Sequence, residues 1–423
     1  MIDSMEVLEY LQSKNKGNYD RDNYDSFLKK RRFSFNVPSI HITGTNGKGS
    51  TATYLASILK HAGYKTALYH SPYSRSPREM IQINGEQISE EKFNKMVLDN
   101  QKDFDKADLS EFEIETYIAL TYFQEQKCDV AIIECGMGGE IDATNVFDPV
   151  LSIITSISLE HTAYLGKSVT EIAESKGGII KPRVPVLIGN TIKGDALDVL
   201  TSIARDNKTK ITTLNDYAFE KLVDDGYTFF YGGFYDLKVP TKATYSVKDA
   251  CFAVEAIALL SDKFNVSETA IREGLLSTKL KGRMEFKMNN PLVIVDGAHN
   301  PEAIQTLIAD MDKIQENKPI HAVFVAFRDK NVSNMLSDLS VLAQEITLTT
   351  FDHPRARRED EYFLYLDEFK FEEDHKQLIQ RLIDEYPDDI ILVTGSLAFA
   401  FLVSEEFDEN VYLKKWYFWF IHN

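Results

Sequence analysis

The chain has 423 residues, with 47 lysines and arginines against 65 aspartates and glutamates (net charge −18) and 43% apolar residues. This composition excludes a disordered or collagen-like chain, and the acidic balance disfavours nucleic acid and anionic membranes as partners. The three cysteines, Cys128, Cys135 and Cys251, show no C-x-x-C spacing, which argues against a disulfide framework or a structural zinc site and for a reducing, cytoplasmic setting. The first residues, Met1 to Glu6, lack a basic segment ahead of an apolar one, so no secretory signal is expected.

Along the chain, Met5, Leu8 and Leu11 share one helical face and predict a helix over 4–13. Lys29-Lys30-Arg31-Arg32 reads as a solvated helix end. A strand is predicted at 39–43, a glycine-rich turn at 44–49, and a helix from Ser50 to Ala62 that Gly63 stops. Strands at 66–69, 129–133, 151–157 and 184–188 are short, rich in β-branched residues and separated by helical patterns. That alternation predicts a mostly parallel sheet covered on both faces. The stretch 205–245, rich in Tyr, Gly and Asp, reads as a small β insertion. A polar hinge is expected at 279–290, around Gly282. Strands then recur at 292–295, 322–326, 346–349 and 390–394, with Ile304, Leu307, Ile308 and Met311 on a helix between them. The fold class is therefore α/β. A P-loop-type, mostly parallel sheet domain is expected over 1–285, followed by a smaller Rossmann-like α/β domain over 286–423.

The segment with most chemistry is Gly44-Thr45-Asn46-Gly47-Lys48-Gly49-Ser50-Thr51, between a predicted strand and a predicted helix. Glycines let backbone amides point inward, a helix N-terminus favours anions, and a lysine can reach terminal phosphates. It differs from G-x-x-x-x-G-K-[ST], because Gly49 separates Lys48 from Ser50. Glu134 ends a predicted strand and precedes Gly136, Gly138 and Gly139. A carboxylate at the carboxyl end of a sheet strand offers the hard oxygen that Mg²⁺ prefers. His161 follows another strand end and is a second candidate ligand.

These segments resemble the Mur ligase superfamily, and the Gly-Lys-Gly-Ser form resembles its folylpolyglutamate synthase/dihydrofolate synthase branch. That branch joins a carboxylate to an amine with ATP, through an acyl phosphate. The resemblance implies ATP held by Thr45, Asn46, Gly47, Lys48, Gly49 and Ser50, and one Mg²⁺ held by Ser50 and Glu134. The run from Glu134 to Asn145 is similar to the family's acidic-Gly-Gly-Asp-Ala-Thr-Asn segment, and 172–182 to its lysine-bearing helix. The implied second Mg²⁺ would take His161 and a carbamylated Lys176. Glu160 stands where the family usually has aspartate.

Gly282-Arg283-Met284-Glu285 resembles the family's interdomain Gly-Arg-x-Glu, with Arg283 reaching ATP phosphates. Asp296-Gly297-Ala298-His299-Asn300-Pro301 matches a further family segment, which implies Asp296 on the nucleotide and His299 near phosphate. The same residues suit a helix start, with Asn300 as cap and Pro301 in the first position. Asp329-Lys330 and Thr394-Gly395-Ser396 fit the family in order. Lys48, His161, Lys176, Arg283 and His299 are thus the implied catalytic residues.

Two places depart from the family. Asp249 replaces the asparagine expected on adenine, exchanging an amide donor for a charged acceptor. In the 70–85 loop Tyr73 and Ser74 replace His-Leu, and Arg78-Glu79 appears in reversed order. The expected activity is addition of L-glutamate to a folate or to dihydropteroate by a monomer, with neither nucleic acid nor membrane as partner. A Mur-type ligase for a non-folate carboxylate and a nucleotide-binding module without catalysis are the alternatives. The aromatic run Trp416-Tyr417-Phe418-Trp419-Phe420 is expected to pack on the second domain.

Overall fold

The computed structural model describes residues 4–14, 20–162, 164–223 and 225–412, and the aromatic run 416–420 lies outside them. The chain divides into two compact units, Met1–Pro240 with Ser246–Thr278, and Thr241–Tyr245 with Lys279–Asn423. Among the described residues no helix is long and apolar enough to cross a membrane.

The first unit is built on an eight-stranded sheet. Its order is Glu86–Gln87, Ile81–Ile83, Thr66–Tyr69, Val130–Glu134, Ser39–Thr43, Leu151–Ile154, Val186–Ile188, Ile211–Thr213. The last six run parallel, and the first two form an antiparallel edge. Ser39–Thr43, Val130–Glu134 and Leu151–Ile154 are buried throughout, as strands covered on both faces must be. Ser39–Thr43 comes first of the six in sequence yet lies inside the sheet, so successive connections leave it in opposite directions. Such a reversal opens a crevice at the carboxyl ends of the strands.

The helix Lys48–His61 leaves that crevice and packs against Glu268–Ser277. There Gly274 allows close approach: a Cβ on it would lie 2.5 Å from Ile58 Cα. The basic run closes the helix Asp22–Arg31, where cations complement the carbonyl end. An antiparallel sheet of Ala218–Val223, Gly226–Tyr231 and Phe234–Val239 fills the stretch read as a β insertion.

The second unit holds a six-stranded sheet in the order Glu285–Asn289, Leu292–Val295, Ile390–Thr394, Ile320–Phe324, Glu345–Thr350, Lys370–Asp374. All are parallel except the first. The polar 279–290 stretch thus contains a half-buried edge strand, which accounts for its polarity. The strand expected at 322–326 begins earlier, at Ile320. His321 obscures its start in the sequence, but this histidine is buried, 2.9 Å from Asp389 and stacked on Tyr386.

Residues 241–245 join this unit through two buried aspartates. Thr244 donates to Asp310 Oδ2 from its amide (2.8 Å) and hydroxyl (3.0 Å), and the Tyr245 phenol donates to Asp296 Oδ2 (2.6 Å). The division at 278/279 lies ahead of the expected boundary at 285/286 and assigns Gly282 and Arg283 to the second unit.

His41 shows how polar groups enter the first core. Its Nε2 lies 2.8 Å from Thr144 Oγ1, whose own proton goes to Asp142. Nε2 therefore carries the ring hydrogen, while buried Nδ1 has no hydrogen-bond partner. Burial, with Lys181 adding repulsion, lowers the His41 pKa to about 3. Below pH ~6.5 the unfolded chain gains a proton that the folded chain refuses, so this group costs stability as pH falls. Between pH 7 and pH 5 the loss is about 2 kcal/mol from this histidine. His41→Gln is expected to flatten that part of the pH profile in urea unfolding; an unchanged slope would assign the acid sensitivity elsewhere.

Candidate nucleotide and metal site

The phosphate loop takes its shape from the strand beside it. Thr155 and Ser156, expected inside a strand, instead follow Ile154 and turn their hydroxyls onto the loop. Thr155 Oγ1 donates to the Asn46 carbonyl (2.6 Å), and Ser156 Oγ accepts the Asn46 amide (2.9 Å). The Thr45 amide donates to the Ser156 carbonyl (2.9 Å), and Thr45 Oγ1 accepts the Ser158 amide (3.0 Å).

The helix begins at Lys48, two residues before the expected Ser50, with Gly47 as its cap at φ +88°. Gly47 has no side chain with which to cap the first turn, and a helix start of this kind suits an anion. Lys48 Nζ meanwhile donates to the carbonyls of Gly44 (2.8 Å) and Thr45 (3.2 Å). Asp249 flanks this turn: a Cβ on Gly47 would lie 2.4 Å from its Oδ1.

Glu134 is buried at the end of its strand, and its Oε2 accepts the Ser71 amide (3.0 Å). A Cβ on Gly49 would lie 3.2 Å from the same oxygen, so the Glu134 carboxylate borders the turn that carries buried Ser50. A carboxylate and a hydroxyl at the start of an anion-binding helix fit Mg²⁺, which completes its shell with water and phosphate oxygens. Among the described residues no group of three or more His, Cys, Asp or Glu side chains could hold a metal alone.

Lys176 and Glu160 form the second cluster. Lys176 lies on the helix Val169–Gly177, 1% exposed, and its Nζ donates to Glu160 Oε1 at 2.8 Å. Burial favours the neutral form of both groups. For Glu160 it is outweighed by Lys176, Lys48 and His161, which hold the carboxyl well below the usual range. For Lys176 burial prevails over Glu160, and Lys48 adds repulsion, so its pKa falls. In this state Lys176 is a counter-ion and not a ligand. A carbamate there would face Glu160 as a second anion and would require a cation between them.

His161 stands beside this pair in a left-handed conformation, φ +45°, and its carbonyl accepts the amides of Tyr164 (2.8 Å) and Leu165 (3.0 Å). A non-glycine residue in that region carries strain of about 1 kcal/mol or more, a feature concentrated at functional sites.

Arg283, Asp296 and His299 form a group of their own in the second unit. Asp296 is buried; besides the Tyr245 phenol it accepts the amides of Met284 (2.9 Å) and Ala298 (2.8 Å). Gly297 donates its amide to the Gly282 carbonyl (2.8 Å), and Glu285 accepts the Gly282 amide (2.6 Å). The turn carrying Arg283 is thus fixed on both sides. His299 Nδ1 donates to the Gly297 carbonyl (2.8 Å), which assigns the ring hydrogen to Nδ1. Asn300 caps the following helix through the Ala303 amide (2.9 Å), with Pro301 in its first position.

The first unit therefore gathers Thr45 to Ser50, Glu134, His161, Lys176 and Asp249 around the strand ends, and the second holds the other three. Residues 42–257 match the Mur ligase middle domain, and residues 282–397 match the Mur ligase glutamate ligase domain. The chain belongs to the Mur ligase family, in its folylpolyglutamate synthase/dihydrofolate synthase branch. It is 32% identical to the dihydrofolate synthase/folylpolyglutamate synthase of Bacillus subtilis, over 86% of this chain and 89% of that one. The Escherichia coli counterpart is 29% identical over 90% and 88%. Among solved structures, E. coli FolC in complex with ADP superposes with a TM-score of 0.85 at 26% identity, covering 96% and 98% of the two chains. Folylpolyglutamate synthase from Thermotoga maritima gives 0.80 at 30% identity, covering 96% of each.

Sequence reading missed the part that Thr155 and Ser156 play in holding the loop. Serine and threonine after a strand carry no signal until the neighbouring loop is seen. Gly47→Ala is expected to weaken nucleotide binding at least tenfold, because a side chain at φ +88° would also collide with Asp249. Titration calorimetry with ADP, alongside circular dichroism to verify folding, measures this; unchanged affinity would remove the turn from the nucleotide site.

Proposed function

We propose that the protein joins L-glutamate to the carboxylate of a folate or of dihydropteroate, converting ATP to ADP and phosphate. The observation that carries the reading is the uncapped helix start at Lys48, bordered by the Glu134 carboxylate, in a chain that resembles folylpolyglutamate synthases along most of its length. A cytoplasmic location is part of this reading, supported by three buried free thiols.

In the first step a substrate carboxylate oxygen attacks the γ-phosphorus, the bond to the β–γ bridging oxygen breaks, and ADP leaves. In the second the glutamate amine attacks the acyl carbon and loses a proton, and phosphate departs with the C–O electron pair. The first step brings anion to anion, so charge neutralisation is the main demand. Lys48 answers it by releasing the Gly44 and Thr45 carbonyls and turning to the phosphates, while the loop amides orient them. Ser50 and Glu134 would hold Mg²⁺, which supplies further positive charge at the phosphate oxygens. Lys176 and His161, beside Glu160, are the residues for a second ion, with carbamylation of Lys176 as the step that would make it a ligand. Arg283 is assigned to phosphate, and Asp296 holds its turn. His299, with its hydrogen on Nδ1, offers Nε2 toward phosphate chemistry only when protonated.

A second reading, a ligase for a non-folate carboxylate, is favoured by the 70–80 loop. There the Tyr73 phenol donates to Glu111 (2.9 Å), and Glu79 accepts the amides of Ser74 (2.9 Å), Arg75 (2.9 Å) and Ser76 (2.8 Å). The loop is thereby fixed by Glu79 from within and by Glu111 from the helix Glu111–Glu125, and its sequence departs from that of the branch.

Purified protein with Mg-ATP, L-glutamate and either dihydropteroate or tetrahydrofolate should release ADP and yield a product heavier by one glutamyl residue, read by mass spectrometry. ATP binding with no folate-dependent turnover would favour the second reading. Lys48→Ala and Glu134→Gln should each lower kcat by about 10²-fold or more while the fold persists. Wild-type rates in either would exclude that residue from the mechanism.

A further inference from the structure

Arg21 lies outside both matched domains, just before the helix Asp22–Arg31. Its Nη1 donates to three backbone carbonyls of one loop, those of Glu140 (3.0 Å), Asp142 (3.3 Å) and Asn145 (3.1 Å). Asp25 holds the guanidinium from the other side, with Nε 3.2 Å from Oδ2 and 3.0 Å from Oδ1. Three carbonyls aimed at one point present their negative ends to each other, and a charged, planar donor is what allows them to converge.

That loop connects the two clusters of the site. It leaves the sheet directly after Glu134. Asp142 fixes it by accepting the amides of Met137 (2.8 Å) and Thr144 (2.9 Å). The Glu140 amide donates to the Ser175 carbonyl (2.8 Å), and Asn145 Nδ2 reaches the carbonyls of Glu140 and Gly178 (3.1 Å each). Ser175 adjoins Lys176. The packing leaves no slack: a Cβ on Gly139 would lie 2.8 Å from the Lys176 carbonyl, and one on Gly178 2.3 Å from Glu140 Cα. A shift of the loop at residue 140 therefore moves the helix end that bears Lys176.

We infer that Arg21 is a positioning residue for the ligase reaction: by gathering the carbonyls of Glu140, Asp142 and Asn145 on its guanidinium, it sets the 136–145 loop and hence the spacing between Glu134 and Lys176. The phosphate loop has braces of its own in Thr155, Ser156 and Ser158, and its link to the 136–145 loop runs from the Thr43 hydroxyl to the Gly138 carbonyl, so nucleotide binding is expected to depend on Arg21 much less than turnover does. The catalytic consequence rests on the proposed ligase activity; the effect on the loop does not.

The test compares full-length wild type, Arg21→Ala and Arg21→Lys by steady-state kinetics and by hydrogen exchange. Arg21→Ala should lower kcat on the order of 10- to 100-fold, as expected for an ångström-scale misplacement, and leave KM for ATP within about twofold. Arg21→Lys should recover part of the loss. Guanidinium chloride at low millimolar concentration should recover part of the Arg21→Ala loss, where sodium chloride at equal ionic strength does not. Amide exchange in Arg21→Ala should quicken at 136–145 and remain unchanged at 44–51. Exchange needs no substrate, so it tests the loop even if the wild type ligates neither folate acceptor. Unchanged exchange at 136–145 overturns the inference. So does an unchanged kcat in a protein whose wild type is active, or a loss that neither lysine nor guanidinium restores. If Arg21→Ala does not fold, Arg21→Lys and Arg21→Gln decide by the same exchange comparison, with Gln quickening the loop more than Lys.

Discussion

The site depends first on the hold that one strand end keeps on the neighbouring loop. A phosphate loop needs its amides pointing inward, a backbone shape with little stability of its own. Here Thr155 and Ser156 supply that stability from the end of Leu151–Ile154, gripping Asn46 by carbonyl and amide. The grip also explains why the strand ends where it does. Its next two residues use their side chains on the loop, and the chain departs from the sheet toward Glu160 and His161. Nucleotide cradle and second cluster are consequences of the same turn.

Around that turn charges of both signs are buried together. Lys48, Lys176 and His161 all act on Glu160 and keep it ionised in spite of burial. Glu134 and Asp249 are buried carboxylates on the same turn, so the crevice holds charges of both signs, in a chain whose net charge is −18.

Much of this was legible in the sequence. The strands Ser39–Thr43, Thr66–Tyr69 and Ile390–Thr394 match expectation because their apolar runs are pure and their flanks carry turn residues. Glu134 and the 44–51 loop could be singled out as candidates because each belongs to a distinctive run of consecutive residues. Expectation went astray where a polar residue sits in a strand, as His321 does, or where an edge strand is only half-buried, as in Glu285–Asn289. Arg21 and the Glu160–Lys176 pair could not be read at all as contacts, since the partners are 119 to 124 residues apart in the first case and on different elements in the second. Asp296 was singled out by resemblance as a nucleotide contact, while its hydrogen bonds within the fold could not be read from the sequence. Its oxygens serve the Tyr245 phenol and the amides of Met284 and Ala298, which is structural work in support of the Arg283 turn.

The strip Thr241–Tyr245 belongs to the second unit although first-unit residues lie on both sides of it, and its last two residues open the helix Thr244–Leu259. The chain therefore passes from one unit to the other three times, and no single cut separates them. A gene fragment ending at 278 would retain Thr244 and Tyr245 without Asp310 and Asp296. One beginning at 279 would leave Asp296 without the Tyr245 phenol and Asp310 without the amide and hydroxyl of Thr244. Anyone dividing this protein for expression, fusion or split-reporter work would need to graft 241–245 onto the second piece.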